Sequence, residues 1–321
     1  MNVSLRVMRY FATASYLQSL SRAAVELHIS QSAISSAIDT LEAELGLKLL
    51  FRKRSKGISL TAAGHSTLVK IQSILDHVDN FKNEIANLGD EISGELHVGC
   101  FSAIAPIVLT PILKELSIDH PSVNIVLSEG NALHIFDSIH RGEIDVGISY
   151  DEADLSDGLT VKTLAIVPPH VIVPANHPFA KLNEIPISIL ADQPLILLDM
   201  PSSSQYYTSL FETTGFTPDF AYKTPNYDMV RSLVAAGLGM AILQTRSPSN
   251  ATHFGANIVC KPLTGKFRKS RLVIAYNEFS IKRRAVKTFV DYTQSYFQSP
   301  ASQKIIVLSR KELLDQQVPL V

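Results

Sequence analysis

The spacing of apolar residues near the start of the chain predicts a series of short helices. In SLRVMRYFATASYL, one helical face carries Leu5, Met8, Phe11 and Ala12. In QSAISSAIDTLEAEL, apolar residues recur at intervals of four, three and four positions: Ile34, Ile38, Leu41 and Leu45. We expect Ser21 to cap a helix over RAAVELH, Ser30 to cap the helix that follows, and Gly46 to end it. Two short helices joined by a tight turn at His28 and Ile29 form a helix-turn-helix.

The pattern after Gly46 predicts a β-hairpin and then one long helix. LKLLFRKRSKGISLT has an apolar start, a basic centre and a turn at Gly57, which is typical of a hairpin wing. From Thr61 to Gly89 the chain contains no Pro, and apolar residues step nearly by heptads. The predicted dimerisation stripe is Leu68, Ile71, Leu75, Val78 and Ile85. Such a helix needs a partner, which is either another subunit or the chain's own body.

From Glu95 the pattern changes to short apolar runs that alternate with helical segments. ELHVGCF, VNIVLSEG and IDVGISY are predicted strands separated by helices, which gives a βαβαβ unit with a parallel sheet. A second set of strands and helices follows, and the chain returns through SRLVIAY and a last helix. We expect two lobes: lobe I over 94–162 and 268–297, and lobe II over 163–267.

Composition limits the class of protein. A length of 321 residues favours more than one domain, and a hydrophobic fraction of 46% is enough for sizeable cores. No apolar run approaches the roughly 20 residues of a membrane-spanning helix, and the N-terminus lacks the apolar core of a signal peptide. No membrane partner is therefore expected. With only Cys100 and Cys260, a disulfide scaffold is excluded and a cytoplasmic location is favoured.

Charge is unevenly distributed along the chain. Residues 1–60 contain eight Lys or Arg and four acidic residues, a net charge of +4, whereas the whole chain carries −1 and the remainder therefore −5. A small basic segment joined to a larger acidic one is typical of a nucleic-acid-binding module attached to a second domain. Chance asymmetry of surface charge is the alternative until a motif supports binding.

A motif of this kind is present. The segment AAVELHISQSAISSAIDTLEAELGLKLLFRKRSKGISLTAAG resembles the N-terminal domain of the LysR-type transcriptional regulators of bacteria. The matching features are Ala23–Ala24, Leu27, SQSAIS, Ile38, Leu41–Glu42, Leu45–Gly46, Arg52 and LTAAG. The later part of the chain resembles the effector domain of the same family, which is itself similar to periplasmic binding proteins. The resemblance covers nearly all of residues 1–297.

The resemblance implies an α+β multidomain protein with a winged helix-turn-helix, a long linker helix and a two-lobed α/β effector domain. The expected ranges are 1–60 for the DNA-binding domain, 61–90 for the linker and dimerisation helix, 91–298 for the effector-binding domain and 299–321 for a C-terminal extension. The extension runs past the usual end of the family. Its KIIVL segment is expected to add an edge strand or to pack on the body, and SRKELLDQQ to form a short helix.

The resemblance also implies that the N-terminal turn of the second helix of the motif enters the major groove of a double-stranded DNA operator. Ser32 and Ser36 stand where many members have Pro and Arg, so we infer that phosphate contacts come mainly from the wing and Arg22. The predicted DNA-binding residues are Arg22, Ser30, Gln31, Ser32, Ser35, Ser36, Arg52, Lys53, Arg54 and Lys56. Asp39 is either a cytosine contact or, as we favour, a solvated surface acid.

Ligands of open α/β sheets bind at the carboxyl ends of strands, beside helix N-termini. The predicted effector-binding residues are Cys100, Phe101, Ser102, Ala103, Asn131, Ser149, Tyr150, Ser202, Ser203, Asn226 and Tyr227. For each serine, N-capping of a helix is an equally weighted alternative. Tyr150 occupies a position where some family members have a cation that pairs with a carboxylate. We therefore expect a small organic effector that is neutral or weakly acidic and aromatic, rather than a dicarboxylate.

Other functions lack their motifs. There is no Gly-x-Ser-x-Gly, no phosphate loop and no metal-spaced His/Cys cluster, so no enzyme activity, cofactor or metal is expected. A cysteine-based redox-sensing regulator of the same fold and a solute-binding protein are alternatives. Against the first, Cys100 and Cys260 have no evident close partner or flanking cations, so we expect buried, inert thiols. The expected partners are operator DNA, the effector and further copies of the chain in a dimer or tetramer, with RNA polymerase as an additional candidate.

Overall fold

A computed structural model of the chain describes residues 3–53, 57–86, 92–151, 155–201 and 203–316. The chain divides into two units, Met1–Glu91 and Ile92–Val321, which we call the head and the body. Several predicted site residues lie outside this description: Arg54, Lys56, Ser202 and the side chains of Lys53 and Ile85.

The head consists of helices and a hairpin around one apolar core. Its helices are α1 (Leu5–Leu17), α2 (Leu20–Glu26), α3 (Gln31–Leu45) and α4 (Ala62–Ala86). Strand β1 (Leu50–Lys53) pairs antiparallel with β2 (Gly57–Leu60), which confirms the predicted wing. Phe11, Ile34 and Ile38 are fully buried, so the apolar spacing identified the core-facing side of α3. On α1 the prediction was right only in part, because Leu5 is 43% exposed and the buried face includes Ala14 and Ser15.

The ends of α3 form as predicted. The Ser30 hydroxyl accepts a hydrogen bond from the N–H of Ala33 at 3.2 Å, and Gly46 ends the helix with a left-handed φ of 65°. A close approach between the backbone at Gly64 and the backbone at Leu49 explains why the LTAAG motif ends in glycine. A Cβ at Gly64 would lie 2.1 Å from the carbonyl oxygen of Leu49, so α4 can begin against the wing only with glycine there.

The predicted cap of α2 is wrong by two residues. Ser19, not Ser21, has the extended conformation of an N-cap, and its hydroxyl accepts from the N–H of Arg22 at 3.2 Å. Ser21 lies inside the helix, and its hydroxyl instead donates to Gln31 Oε1 at 2.9 Å. The Ser21–Gln31 bond joins the two helices of the motif across their turn.

The body contains two sheets with helices packed on them. Its strands are β3 (Gly94–Phe101), β4 (Val123–Gly130), β5 (Val146–Tyr150), β6 (Thr160–Val167), β7 (His170–Pro174), β8 (Ile185–Pro186), β9 (Leu195–Leu198), β10 (Phe220–Thr224), β11 (Met240–Leu243), β12 (Ile258–Thr264) and β13 (Ser270–Tyr276). Its helices are α5 (Ala105–Asp119), α6 (Ala132–His140), α7 (Ser203–Ser209), α8 (Tyr227–Ala235), α9 (Arg284–Gln298), α10 (Pro300–Gln303) and α11 (Arg310–Gln316).

Each lobe is organised around one sheet of the described chain. In lobe I the strand order is β4-β3-β5-β13-β6, with β3 parallel to β4 and β5 and with β13 antiparallel to β5 and β6. In lobe II the order is β10-β9-β11-β7-β12-β8, with β7 antiparallel to both of its neighbours. This arrangement confirms the predicted βαβαβ unit and the two-lobed α/β fold.

The predicted first boundary between the lobes, at 162–163, is wrong. It falls inside β6, which pairs with β13 from Thr160 to Val167 and so belongs wholly to lobe I. The chain crosses to lobe II between Val167 and His170 and returns between Thr264 and Ser270. Strand β6 is at the sheet edge and its residues are mostly half-buried, so its sequence lacks the continuous apolar run of a central strand.

The C-terminal extension folds onto the body. Ile305 and Val307 in the KIIVL segment are buried, with 1% and 7% exposure, and SRKELLDQQ contains α11. KIIVL therefore packs on the body, which is one of the two predicted outcomes. Across the described residues, no helix combines the length and apolar content needed to span a bilayer.

Candidate functional site

The N-terminal turn of α3 carries small polar side chains at the protein surface. Gln31, Ser32 and Ser36 are exposed, and Ser35 is half-buried. The hydroxyls of Ser30 and Ser32 lie 3.0 Å apart. The first turn of α3 contains no acidic residue. It therefore has the small size and the hydrogen-bonding groups that an approach to base edges in the major groove requires.

Arg52 joins the wing to α3. Its Nη1 donates to Ser35 Oγ at 3.0 Å, and its Nη2 donates to Asp39 Oδ1 at 2.6 Å. The side chains of Arg52 and Asp39 are 40% and 51% exposed, so the guanidinium lies at the surface beside the polar turn. Asp39 is therefore the partner of Arg52 rather than only a solvated acid. The other predicted cation of the motif, Arg22, is exposed on α2.

Glu42 fixes the start of the wing, a role that sequence reasoning did not assign. Its side chain is buried, and Oε1 accepts from the N–H groups of Leu49 and Leu50 at 2.7 and 3.1 Å while Oε2 accepts from Lys48 Nζ at 2.7 Å. Burial alone would raise the pKa of this carboxyl group. The hydrogen bonds from Lys48 and the two backbone groups outweigh burial, so the Glu42 pKa lies below its ordinary value.

The predicted dimerisation stripe on α4 is partly used within the head. Ile71 is 4% exposed and belongs to the head core, and Leu68 and Leu75 pack against that core. The prediction that Ile71 is buried between subunits is therefore wrong, because α4 packs against α1 of its own chain. Val78 is half-buried.

A cavity of about 910 Å³ lies between the lobes of the body. It brings together several predicted effector residues: Ser102, Ala103, Asn226 and Tyr227. Charged and ionisable side chains also line it: Lys114, Glu129, Asp228, Arg231, His253 and Lys304. The apolar part of the wall includes Pro106, Ile107, Pro225 and Tyr296. The cavity has the volume of a small-molecule site and the mixed lining of such sites.

The Ser102 side chain is available to a ligand in the cavity because it does not cap a helix. Helix α5 starts at Ala105, its N-cap is Ile104, and no side chain caps it. The N–H of Ser102 donates to the carbonyl oxygen of Gly130 at 2.9 Å, which fixes the backbone at the end of β3. The capping alternative is thus excluded for Ser102.

Other predicted effector residues within the described chain do not line this cavity. Fully or nearly buried in the body are Cys100, Phe101, Ser149, Tyr150 and Ser203. Asn131 caps α6, with its Oδ1 accepting from the N–H of His134 at 2.9 Å. Asn226 caps α8 in the same way, with Oδ1 accepting from the N–H of Met229 at 2.9 Å, and also lines the cavity. The carboxyl-end rule led to residues of the cavity wall, such as Ser102, but did not separate them from side chains buried in the core, such as Cys100.

Two parts of the chain match known families. Residues 5–65 match the bacterial regulatory helix-turn-helix proteins of the LysR family, and residues 89–298 match the LysR substrate binding domain. The chain belongs to the LysR family of transcriptional regulators. Both matched ranges end before Ser299, so the C-terminal extension of this LysR regulator lies outside them.

Individual relatives agree with this assignment. The uncharacterized HTH-type transcriptional regulator YvbU of Bacillus subtilis is 27% identical over 293 residues, which are 90% of this chain and 97% of YvbU. The crystal structure of HinK, a LysR family transcriptional regulator from Pseudomonas aeruginosa, is 30% identical with a TM-score of 0.60, and the match covers 92% of this chain and 99% of HinK. Full-length OxyR C199D from Pseudomonas aeruginosa has a TM-score of 0.70 at 24% identity over 91% of this chain and 98% of OxyR, which shows likeness of fold alone.

The segment Gln244–Arg246 connects the two lobes of this LysR regulator, and we call it the inter-lobe bridge. It follows β11 of lobe II. Thr245 Oγ1 lies 2.7 Å from the hydroxyl of Tyr150 at the end of β5 in lobe I, and Gln244 Nε2 donates to Ser270 Oγ at the start of β13. The carboxyl end of β11 meets the same positional criterion as the predicted residues. Applied to MAILQ, that criterion would have identified Gln244.

Tyrosines surround the inter-lobe bridge. The Tyr207 hydroxyl donates to Gln244 Oε1 at 3.1 Å, and the Tyr227 hydroxyl donates to the Thr245 carbonyl oxygen at 2.9 Å. Burial raises the phenol pKa of Tyr150, Tyr207 and Tyr227 well above its ordinary value. These groups remain neutral hydrogen-bonding phenols at neutral pH. Of the predicted aromatic residues, Phe101 and Tyr150 pack edge to face with ring centroids 5.5 Å apart.

The cysteines of the LysR regulator have weakly acidic thiols. Cys100 is fully buried, and burial raises its thiol pKa well above the ordinary value. Cys260 is half-buried, and burial likewise raises its pKa. The expectation that no cations flank the cysteines is wrong for Cys260, since Arg246 and Arg231 act to lower its pKa, but burial outweighs them. Neither environment produces the thiolate that redox sensing requires.

Proposed function

We propose that this LysR regulator binds double-stranded operator DNA as a homo-oligomer and that a small organic effector, held between lobes I and II, controls this binding. The observation that carries the effector role is the cavity of about 910 Å³ with Ser102 and Tyr227 in its wall. The DNA-binding role is supported by the match of residues 5–65 to the LysR helix-turn-helix family. Promoter contacts with RNA polymerase would be a further function of the DNA-bound oligomer.

The polar turn of α3 is proposed to read base edges. Gln31 and Ser32 are exposed there, and both side chains can donate and accept hydrogen bonds in the major groove. Arg52 contacts Ser35, about one helical turn further along α3, and supplies positive charge that the start of α3 itself lacks. Wing cations outside the described residues, Arg54 and Lys56, would extend the phosphate contacts.

A second copy of the chain is the proposed partner of α4. Ile74 and Phe81 on this helix are 40% and 60% exposed, and Val78 lies between them at helical spacing. These residues form an apolar stripe that the head does not cover, beside the Ile71 face that it does cover. Pairing of two such helices would present two heads to two half-sites, which is how dimeric helix-turn-helix proteins gain affinity.

Selection from a random-sequence duplex library tests the DNA-binding role. We expect enrichment of sites with two related half-sites, because two recognition helices from a symmetric oligomer read the same sequence twice. The selected site should bind the full chain with an affinity that falls steeply with salt. Failure to enrich any sequence over the starting library would contradict operator recognition.

Substitution of Ser102 tests the effector role. Ser102→Phe should fill the end of the cavity and abolish the effector response, whereas Ser102→Ala should weaken effector binding by about 0.5–1.5 kcal/mol, the net contribution of one hydrogen bond. Ser117→Ala, at an exposed position of the following helix α5, is the matched control. Effectors are found by thermal shift of the full chain and measured by calorimetry. Equal affinity of the parent and both Ser102 variants would place the effector elsewhere.

A further inference from the structure

The C-terminal extension runs from lobe I to lobe II. It leaves α9, which packs against β3, β6 and α5 of lobe I. Ile305 is 1% exposed, and its carbonyl oxygen accepts from the N–H of Arg246 in the inter-lobe bridge at 2.9 Å. Further on, the N–H of Arg310 donates to Glu184 Oε1 of lobe II at 2.7 Å. The extension is therefore a third crossing between the lobes, in addition to the two crossings beside β6 and β13.

A salt bridge secures the far end of this crossing. Glu312 accepts from Lys269 Nζ in the segment between β12 and β13, and also from the N–H and hydroxyl of Ser309 at 2.8 and 2.9 Å. Burial acts to raise the pKa of Glu312, but these hydrogen bonds outweigh burial and leave the pKa below its ordinary value. Ser302 and Val307 are buried along the path of the segment. The extension is thus fixed at several points between α9 and α11.

The same crossing forms part of the cavity wall. Ala301 and Lys304 line the cavity together with residues of α5 and of the start of α8. Lys304 follows α10, and its backbone position is set by the buried Ile305 beside it. Because the family match ends at residue 298, these two lining residues come from a segment outside the matched effector domain.

The cavity wall contains more positive than negative side chains once the ion pair within it is set aside. Arg231 is buried and satisfied: its Nη1 donates to Asp228 at 2.9 Å, and its Nη2 donates to the carbonyl oxygens of Ser249 and Ala251. Arg231 and Asp228 therefore neutralise each other. The charged side chains that remain are the acid Glu129 and the cations Lys114 and Lys304. Within the described residues, neither of these lysines forms a salt bridge, so the wall retains one net positive charge.

We propose that the C-terminal extension is part of the effector site and that Lys304 binds the anionic group of a singly charged organic effector. The apolar and aromatic wall, which includes Ile107, Tyr227 and Tyr296, would contact the body of that molecule. A monocarboxylate with an apolar or aromatic body has the required charge and shape. This inference rests on the proposed effector function and assigns the ligand class and a binding residue to that site.

Paired ligands and a matched lysine control test the inference on the full chain. A set of monocarboxylates, benzoate among them, is compared with the corresponding amides by thermal shift, and the best ligand is measured by calorimetry. We expect carboxylates to bind more tightly than their amides. Lys304→Gln should raise Kd about three- to tenfold, as loss of a charge-assisted contact in a partly open site does. Lys311→Gln, also exposed in the extension but outside the cavity wall, should leave Kd unchanged.

The outcomes separate this inference from the effector function itself. A compound that binds and alters DNA affinity, but binds Lys304→Gln and the parent equally well, would overturn the role of Lys304 and leave the effector function intact. Tighter binding of amides than of carboxylates would overturn the ligand class. If no compound of either series changes melting temperature or DNA binding, the proposed effector function fails, and this inference fails with it.

Discussion

Arg52 in the wing and Asp39 on α3 form a salt bridge with 2.6 Å between Nη2 and Oδ1. Both side chains are well exposed, so the pair contributes only about 0–1 kcal/mol to stability. Its main consequence is positional, because the guanidinium is held next to Ser35 at the surface that we assign to DNA. Arg52 thus either binds DNA phosphate or serves only to hold the wing in a fixed orientation against α3.

Substitutions of the two partners distinguish these roles. If Arg52 binds phosphate, Arg52→Ala should weaken binding to all DNA sequences and reduce the log–log salt slope by about one. Asp39→Ala should then strengthen DNA binding, since it removes a negative charge and releases the guanidinium. If Arg52 only holds the wing against α3, both variants should weaken DNA binding to the same extent. Lys287→Ala, an equal charge change on an exposed site of the body, is the control in salt titrations by fluorescence anisotropy.

Protection of the wing should depend on pH through Glu42. Its folded-state pKa is below the ordinary value of 4.5, so the stabilisation is present above pH 4.5 and is lost as the pH falls through the folded-state pKa. We expect the amides of Leu49 and Leu50 to lose hydrogen-exchange protection in that acidic range. Glu42→Gln should remove the pH dependence and cost about 1.5–3 kcal/mol, the contribution of hydrogen bonds to a charged group.

The control for this experiment is Glu26→Gln, an exposed acid on α2. It should leave both the protection of the wing amides and its pH dependence unchanged. Protection in the parent that stays constant at every acidic pH at which the head remains folded would show that the Glu42 carboxylate does not hold the wing.

Two faces of α4 should respond differently to a charged substitution. Val78→Glu and Phe81→Glu should yield smaller species in sedimentation and weaken operator binding, because they place charge on the stripe assigned to the second subunit. Ile71→Glu should instead unfold the head, because Ile71 is buried in the head's own core. An unchanged oligomer in folded Val78→Glu and Phe81→Glu variants would show that subunits associate through another surface.

The thiols should be unreactive in the folded protein. Burial raises the pKa of both Cys100 and Cys260, so little thiolate is present at neutral pH. We expect Ellman's reagent to label neither at the rate of a free thiol, and to label both after denaturation in urea. Rapid labelling of Cys260 in the native protein, abolished by Cys260→Ser, would support the redox-sensing alternative that we do not favour.

Sequence patterns predicted the local structure better than the cavity. Caps and apolar spacing located α3 and Gly46 because those signals act within a few residues of one another. The edge strand β6 gave no comparable signal, since its sequence includes the half-buried Lys162 and the exposed Thr163. The cavity wall is assembled from distant segments, such as those that carry Ser102 and Lys304, and no local pattern encodes this assembly.

The same limit applies to charge. Tyr150 stands where some family members have a cation, and this position suggested a site without a positive charge. The Tyr150 side chain is buried, with its hydroxyl hydrogen-bonded to Thr245. Besides the paired Arg231, the cavity wall contains the cations Lys114 and Lys304, which lie on a helix surface and in the extension. Their sequence neighbourhoods give no sign of a ligand, and only the fold brings them to one wall.

Because the C-terminal extension runs from lobe I to lobe II, we expect its buried residue Ile305 to stabilise the arrangement of the lobes. Ile305→Ala should destabilise the body by about 2–5 kcal/mol, because it leaves a cavity at a site with 1% exposure. It should also increase hydrogen exchange at the amide of Arg246, whose N–H donates to the Ile305 carbonyl oxygen. Leu313→Ala, at a position 51% exposed on α11, is the control and should change stability by no more than about 0.5 kcal/mol. Faster exchange at Arg246 in Ile305→Ala, together with weaker effector binding, would link the crossing to the site. Equal stability and equal exchange in the two variants would show that the extension only lies on the body and does not hold the lobes together.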